Sequence, residues 1–435
     1  MNNDELQVLG KPRKISKREK WRIAIVAIVL LAMVVILGIV IHNSLSPQQP
    51  EKIKTGKKMG EPTIVPELQV AVDSLLNAQM IKIGNCLQGQ VIVMEVETGE
   101  ILAMVGQERN YEGKFVPCNN FAYQQELGSL MMTPSLLAVL ESGKMDLNDH
   151  VHTGTGVYPV DDDNERLMKD HNWEQGGYGT ITLERVLPVN SNIGIGQAVT
   201  KTFKNNQQHF FDLLDKMSFG QPSTIDGIEG LKPAFFNSPK DKDWADYQLW
   251  WSAIGYKQKI APIQMLTFYN AIANGGKMVK PTLKTGEIEI INPQIASKAN
   301  IDSMKVVLDH VVSQGLGRKA GTIFLRVAGK QGTSIIGEND FGEDKVVDEY
   351  QVSFCGYFPA DYPKYSMIVS INKLGLPASG GGMAGSLFYY ILEWMITHRI
   401  VPLAVIDDET NDTIDITEST IEKAYEILER QEKEY

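Results

Sequence analysis

The stretch Glu126-Leu127-Gly128-Ser129-Leu130-Met131-Met132-Thr133-Pro134 decides how the rest of the chain is read. It leads into Ser135-Leu136-Leu137-Ala138-Val139-Leu140-Glu141-Ser142-Gly143, a run apolar on most faces, which predicts a buried helix closed by Gly143. Ser129 therefore stands at the entrance of a core helix, close to the orphan N–H groups of its first turn. A serine there reads as an N-cap or as a nucleophile. Met132 follows three residues later, on the same helix face. Its thioether can fill a gap in a core but cannot accept a proton in water.

Upstream, residues 90–96 and 100–105 flank Glu97-Thr98-Gly99, which predicts a hairpin. Both arms are apolar enough for central strands of a sheet covered on both faces. A helix is expected before it, over residues 66–80, with Leu68, Val72, Leu75 and Leu76 on one face. Downstream, Asp170 and His171 read as a hydrogen-bonded loop pair rather than a proton-transfer couple, because neither has a ligand-spaced partner. Thr182 is expected to cap a helix over residues 183–189, which runs into Asn190-Ser191-Asn192. That triplet reads as a capping-rich connection or as a functional loop. Helices are expected over 209–217, up to Ala273 before an Asn-Gly stop, over 300–313 and near 383–400. The tryptophans Trp250 and Trp251 and Met265 read as core. Val327-Ala328-Gly329-Lys330-Gln331-Gly332-Thr333-Ser334 precedes two strands, over 350–358 and 365–373.

In this order, the segments resemble the transpeptidase domain of penicillin-binding proteins, class B-like members of the serine acyltransferase and β-lactamase-like superfamily. Gly128, Ser129 and Pro134 match the nucleophile motif, in which Ser-x-x-Lys lies between a glycine and a proline; Met132 takes the place of the lysine. Asn192 matches the asparagine of the Ser-x-Asn motif, and Asn190 takes the place of its serine. Lys330, Gly332 and Thr333 match the Lys-Thr-Gly region, and Gln331 departs from it. The resemblance covers roughly residues 60–400. It implies a mixed α/β fold: an antiparallel sheet flanked by helices, with a mostly helical lobe and the site between them. A pedestal domain like that of larger relatives is not expected between the linker and this region.

What the resemblance implies for function is attack by the serine on the D-Ala–D-Ala end of a peptidoglycan stem peptide, with β-lactams acylating the same serine. In the family the Ser-x-x-Lys lysine is a candidate proton acceptor. The second-motif serine takes part in the relay and the asparagine holds substrate. Lys330 would favour the substrate carboxylate and the developing anion, and Gly332, Thr333 and Gln331 would line the substrate edge. An amide at 190 hydrogen-bonds but does not shuttle a proton as a hydroxyl does. The expectation is a binding or scaffold subunit of cell-wall synthesis, weak or inactive as a transpeptidase, working with other cell-wall proteins. The alternative is an active D,D-transpeptidase or carboxypeptidase with a non-standard base. A β-lactam sensor is a weaker reading, because the short basic tail offers no signalling domain. No cofactor and no metal are implied.

The ends bear on location. Residues 1–22 form a basic tail, and the apolar run over 23–41 is long enough at helical rise to match a hydrocarbon core of about 30 Å. No small-residue cleavage pattern follows, so 23–42 is expected to be an uncleaved transmembrane helix in the cytoplasmic membrane. The basic flank places the rest outside the cytoplasm, in the periplasm. Residues 43–62 read as a linker and 63–402 as the main domain. The acidic tail, 403–435, is expected to carry a charged helix over 420–432, solvated or docked. A net charge of −11 argues against a nucleic-acid partner. The 3 cysteines, Cys86, Cys118 and Cys355, read as free thiols, with a Cys86–Cys118 pair left open in an oxidising compartment.

Overall fold

The structure is a computed structural model, and it describes residues 59–161, 163–340, 346–401, 404–406 and 413–415. The basic tail, the expected membrane helix, most of the linker and the expected tail helix lie outside these residues. Among the described residues no helix is long and apolar enough to cross a membrane.

Helix α1 (Pro66–Ile83) starts with a proline in its first turn and buries Leu68, Val72, Leu76 and Met80. The predicted hairpin follows as β1 (Cys86–Glu95) and β2 (Ile101–Arg109), with a short β3 (Phe115–Pro117) on its far side. After a 3-10 turn at Gly128–Met131 comes α2 (Met132–Glu141), in which every residue from Met132 to Leu140 is buried. Helices α3 (Leu183–Val186), α4 (Asn192–Phe203), α5 (Gln208–Lys216) and α6 (Gln248–Ala253) build the lobe. Helix α7 (Pro262–Ala273) ends at Asn274 with Gly275 and Gly276 at positive φ, and α8 (Lys298–Ser313) follows. The chain then returns to the sheet with β4 (Ala328–Asp340), β5 (Val346–Phe358) and β6 (Tyr365–Leu374), and α9 (Gly385–Thr397) closes the core.

The sheet has the order β4–β5–β6–β1–β2–β3, and each neighbouring pair is antiparallel. Alternation along β1 explains its unbroken apolar text. Ile92 and Met94 face a core shared with α2, α4 and α7, while Val91 and Val93 face a second core shared with α1 and α9. A strand buried on both faces cannot show a polar alternation.

Three expectations change. The helix expected over 183–189 stops at Val186, and turns carry the chain to Asn190, which takes a left-handed φ of 54°. The core helix starts at Met132 rather than at Ser135. In the acidic tail, a two-stranded ladder pairs Ala404–Ile406 with Thr413–Asp415, where no strand was expected. The cysteines are free thiols and the Cys86–Cys118 pair is not formed; burial pushes both of those thiols up to about 11.

Candidate active site

Ser129 sits in the 3-10 turn that leads into α2 and is 7% exposed. The N-cap reading fails: neither this turn nor α2 has a side-chain cap hydrogen bond, and the backbone at Met131 is already helical. The turn is held from three sides. Gly128, at φ 54°, packs so closely on β4 that an added Cβ would lie 2.6 Å from the Thr333 carbonyl oxygen. Gly255, at φ 98°, approaches the other side, its own Cβ position 2.2 Å from the Gly128 oxygen. Below, the Tyr269 hydroxyl donates to the Leu130 carbonyl at 3.0 Å and meets Thr133 Oγ1 at 2.6 Å. Ser334 Oγ, on β4, donates to the Glu126 carbonyl at 2.7 Å.

Met132 is fully buried among the apolar side chains of the lobe-side core. Lys330, on β4, is also fully buried. Its amine donates to Asn190 Oδ1, a short contact, and to the Gln331 carbonyl at 2.8 Å. Neither hydrogen bond goes to Ser129. Burial pushes the Lys330 amine well below the ordinary lysine range. The structure thus joins Lys330 to Asn190 across the gap between sheet and lobe.

The neighbours of Asn190 are committed elsewhere. Ser191 caps α4, accepting from Gly194 N at 2.9 Å and donating to Asp170 Oδ2 at 2.8 Å. Asp170 Oδ1 accepts the Ile193 N–H at 3.0 Å. Burial raises the Asp170 carboxyl, while these donors favour its ionised form. Asn192 Nδ2 donates to the Lys169 carbonyl at 2.9 Å. Tyr178 donates its one proton to the Val189 carbonyl at 3.1 Å, which leaves its oxygen to accept from His171 Nε2, also at 3.1 Å. Asp170 and His171 are therefore supports of the loop before Asn190.

On β4, Gly332 lets the strand approach the Leu127 carbonyl, 2.8 Å from where a Cβ would lie. Thr333 Oγ1 accepts the Gly380 N–H at 3.0 Å. The Gln331 side chain is 6% exposed, and neither polar atom of its amide has a partner among the described residues. Sequence reasoning missed Tyr269 and the capping role of Asp170, because both act through contacts far apart in the chain. The one available signal was Asp170 itself, an acidic residue upstream of the Asn190-Ser191-Asn192 triplet.

The model of the penicillin-binding protein transpeptidase domain matches residues 89–393. This chain belongs to that family. As a transpeptidase-family domain it is similar to Stage V sporulation protein D of Bacillus subtilis, 26% identical over 322 residues, 68% of this chain and 47% of that protein. It is also similar to the probable peptidoglycan D,D-transpeptidase PbpC of Pseudomonas aeruginosa, 24% identical over 343 residues, 74% of this chain and 57% of that protein. The chain thus spans about half the length of the curated relatives it matches. Among solved structures, the transpeptidase domain of Burkholderia pseudomallei penicillin-binding protein 3 superposes with a TM-score of 0.66 at 23% identity, over 82% of this chain and 99% of that one. That likeness speaks for the fold.

Proposed function

We propose that this chain is a membrane-anchored penicillin-binding-protein homologue of peptidoglycan synthesis, in which the transpeptidase site binds stem peptide without acylating efficiently. It then serves as a binding or scaffold subunit beside other cell-wall proteins, with its main domain in the periplasm. The observation that carries this reading is the pair Met132 and Lys330. The position that should hold a base is a buried thioether, and the amine of the site is spent on two carbonyl oxygens. Losing positioned acid–base help costs about a hundred- to ten-thousand-fold in rate. The names of the relatives support the cell-wall setting, and the basic tail with the apolar run over 23–41 supports the anchor.

One observation favours the second reading, an active D,D-transpeptidase or carboxypeptidase. Burial lowers the Lys330 amine, and a neutral amine is a usable base. Binding and labelling separate the two. The scaffold reading expects calorimetric binding of a D-Ala–D-Ala-terminated peptide together with background labelling by fluorescent penicillin. Labelling that is strong, needs Ser129 and rises with pH through the lowered Lys330 titration would favour the enzyme. Absence of peptide binding would remove the scaffold reading.

A further inference from the structure

Helices α1 and α9 lie side by side over the face of the sheet opposite the lobe, where they bury the second core. They run antiparallel. The entry to α1 hangs on the start of β2, Val65 N donating to the Leu102 carbonyl at 2.9 Å. Its last turns meet the entry to α9, Gln79 Nε2 donating to the Met383 carbonyl at 2.9 Å. The chain leaves α9 beside Tyr365, whose hydroxyl donates to the Ile400 carbonyl at 3.0 Å. Tyr365 pairs with Glu95, at the same end of the sheet as the entry to α1.

Among the described residues nothing covers the outer side of this helix pair. On α1 the short side chains of Ala71, Ser74 and Ala78 share a stripe with Leu75 and Lys82. Val70 and Ile81 beside it are 67% and 66% exposed, and Tyr390 of α9 is 41% exposed. Lys82 closes the far end of the groove. Its amine lies 5.8 Å from the centre of the Tyr390 ring, and it has no ion pair among the described residues.

We propose that the helix expected over residues 420–432, which lie outside the described residues, is the occupant of this groove. Its apolar stripe has the spacing of the α1 stripe. Ile421, Ala424, Tyr425 and Leu428 repeat the intervals of Ala71, Ser74, Leu75 and Ala78, and Glu432 then falls opposite Lys82. Large tail residues meet small α1 residues, which lets two helices pack closely. The reach also fits. The tail ladder pairs Ala404 with Asp415, which brings the chain back to within about 15 Å of Val401. Residues 416–419 add about 17 Å at most, so the helix begins at the Ala71 end. From 420 to 432 a helix covers about 20 Å, and from Ala71 to Lys82 is about 17 Å. Charge sets the same direction. A helix laid parallel to α1 brings the negative end of its dipole, with Glu432, to the unpaired Lys82.

The test is cross-linking in the full chain with a short bis-maleimide, read by peptide mapping. Ala78→Cys with Leu428→Cys should link within one molecule several-fold more than Ala78→Cys with Ile421→Cys, which the register sets two turns apart. Lys82→Glu should lower that yield several-fold, and adding Glu432→Lys should restore it. In the otherwise native chain, Leu428→Asp should speed amide hydrogen exchange over 421–430 at least tenfold. Equal yields from the two cysteine pairs, or exchange over 421–430 that is unprotected in the native chain, would overturn the proposal. Links found only between molecules would assign the groove to the tail of a second copy and overturn it equally.

Discussion

At Met132 a fully buried side chain has replaced the amine that the motif calls for, and its surroundings are apolar. A lysine put back alone would bury an amine in that apolar core, whereas Asn190→Ser would restore the second-motif hydroxyl beside Lys330. Met132→Lys combined with Asn190→Ser is therefore expected to raise Ser129 acylation by about a hundredfold or more, and either change alone by less. Stopped-flow labelling of the four variants in the cycle measures the coupling. Gly128→Ala meets both a left-handed φ and the Thr333 carbonyl, so it should cost about 1–3 kcal/mol in urea unfolding.

Lys330 gives a pH signature with a definite sign. Its amine is held below the ordinary lysine value of 10.5, so the unfolded chain binds more protons between the folded and unfolded titrations. The contribution of Lys330 to stability is therefore fully present above 10.5 and is lost as pH falls through the lowered folded value. Lys330→Met should flatten that part of the stability profile in denaturation series taken across the alkaline range. At neutral pH it should be neutral or stabilising, as for other buried polar groups exchanged for apolar groups of similar size.

At the scale of elements, the Asn190 loop is placed by the cap of α4 rather than by side chains of its own. Ser191 and Asp170 together satisfy the N–H groups of Ile193 and Gly194. Ser191→Ala should cost about 0.5–2 kcal/mol in chemical denaturation, and should weaken peptide binding because it loosens Asn190 and hence Lys330. What the sequence reveals at this scale follows from periodicity. The β1–β2 hairpin, α2, α7 and α9 are strongly apolar, and burial on all sides leaves few competing conformations. The left-handed turn at Asn190 was not legible, because an asparagine fits a helix end as well as a turn. The tail ladder was hidden by acidic residues around it, which favour solvated chain in any local reading.

At the scale of the molecule, the sheet keeps Lys330 on β4 while the lobe keeps Ser129 and Asn190, so the site exists only where the two meet. The motif residues were legible one by one, and their order along the chain was enough to recognise the family. Which atom each would bond was not legible, since that depends on Tyr269, Asp170 and Gly255 reaching in from distant segments. The outcome is a transpeptidase-family domain with its nucleophile turn clamped and a buried thioether at the place where the motif calls for a lysine. Intact-protein mass spectrometry after incubation of the full chain with benzylpenicillin tests this most directly. A mass indistinguishable from that of the equally treated Ser129→Ala variant is the expected result; a stoichiometric penicilloyl adduct that the Ser129→Ala variant lacks would contradict it.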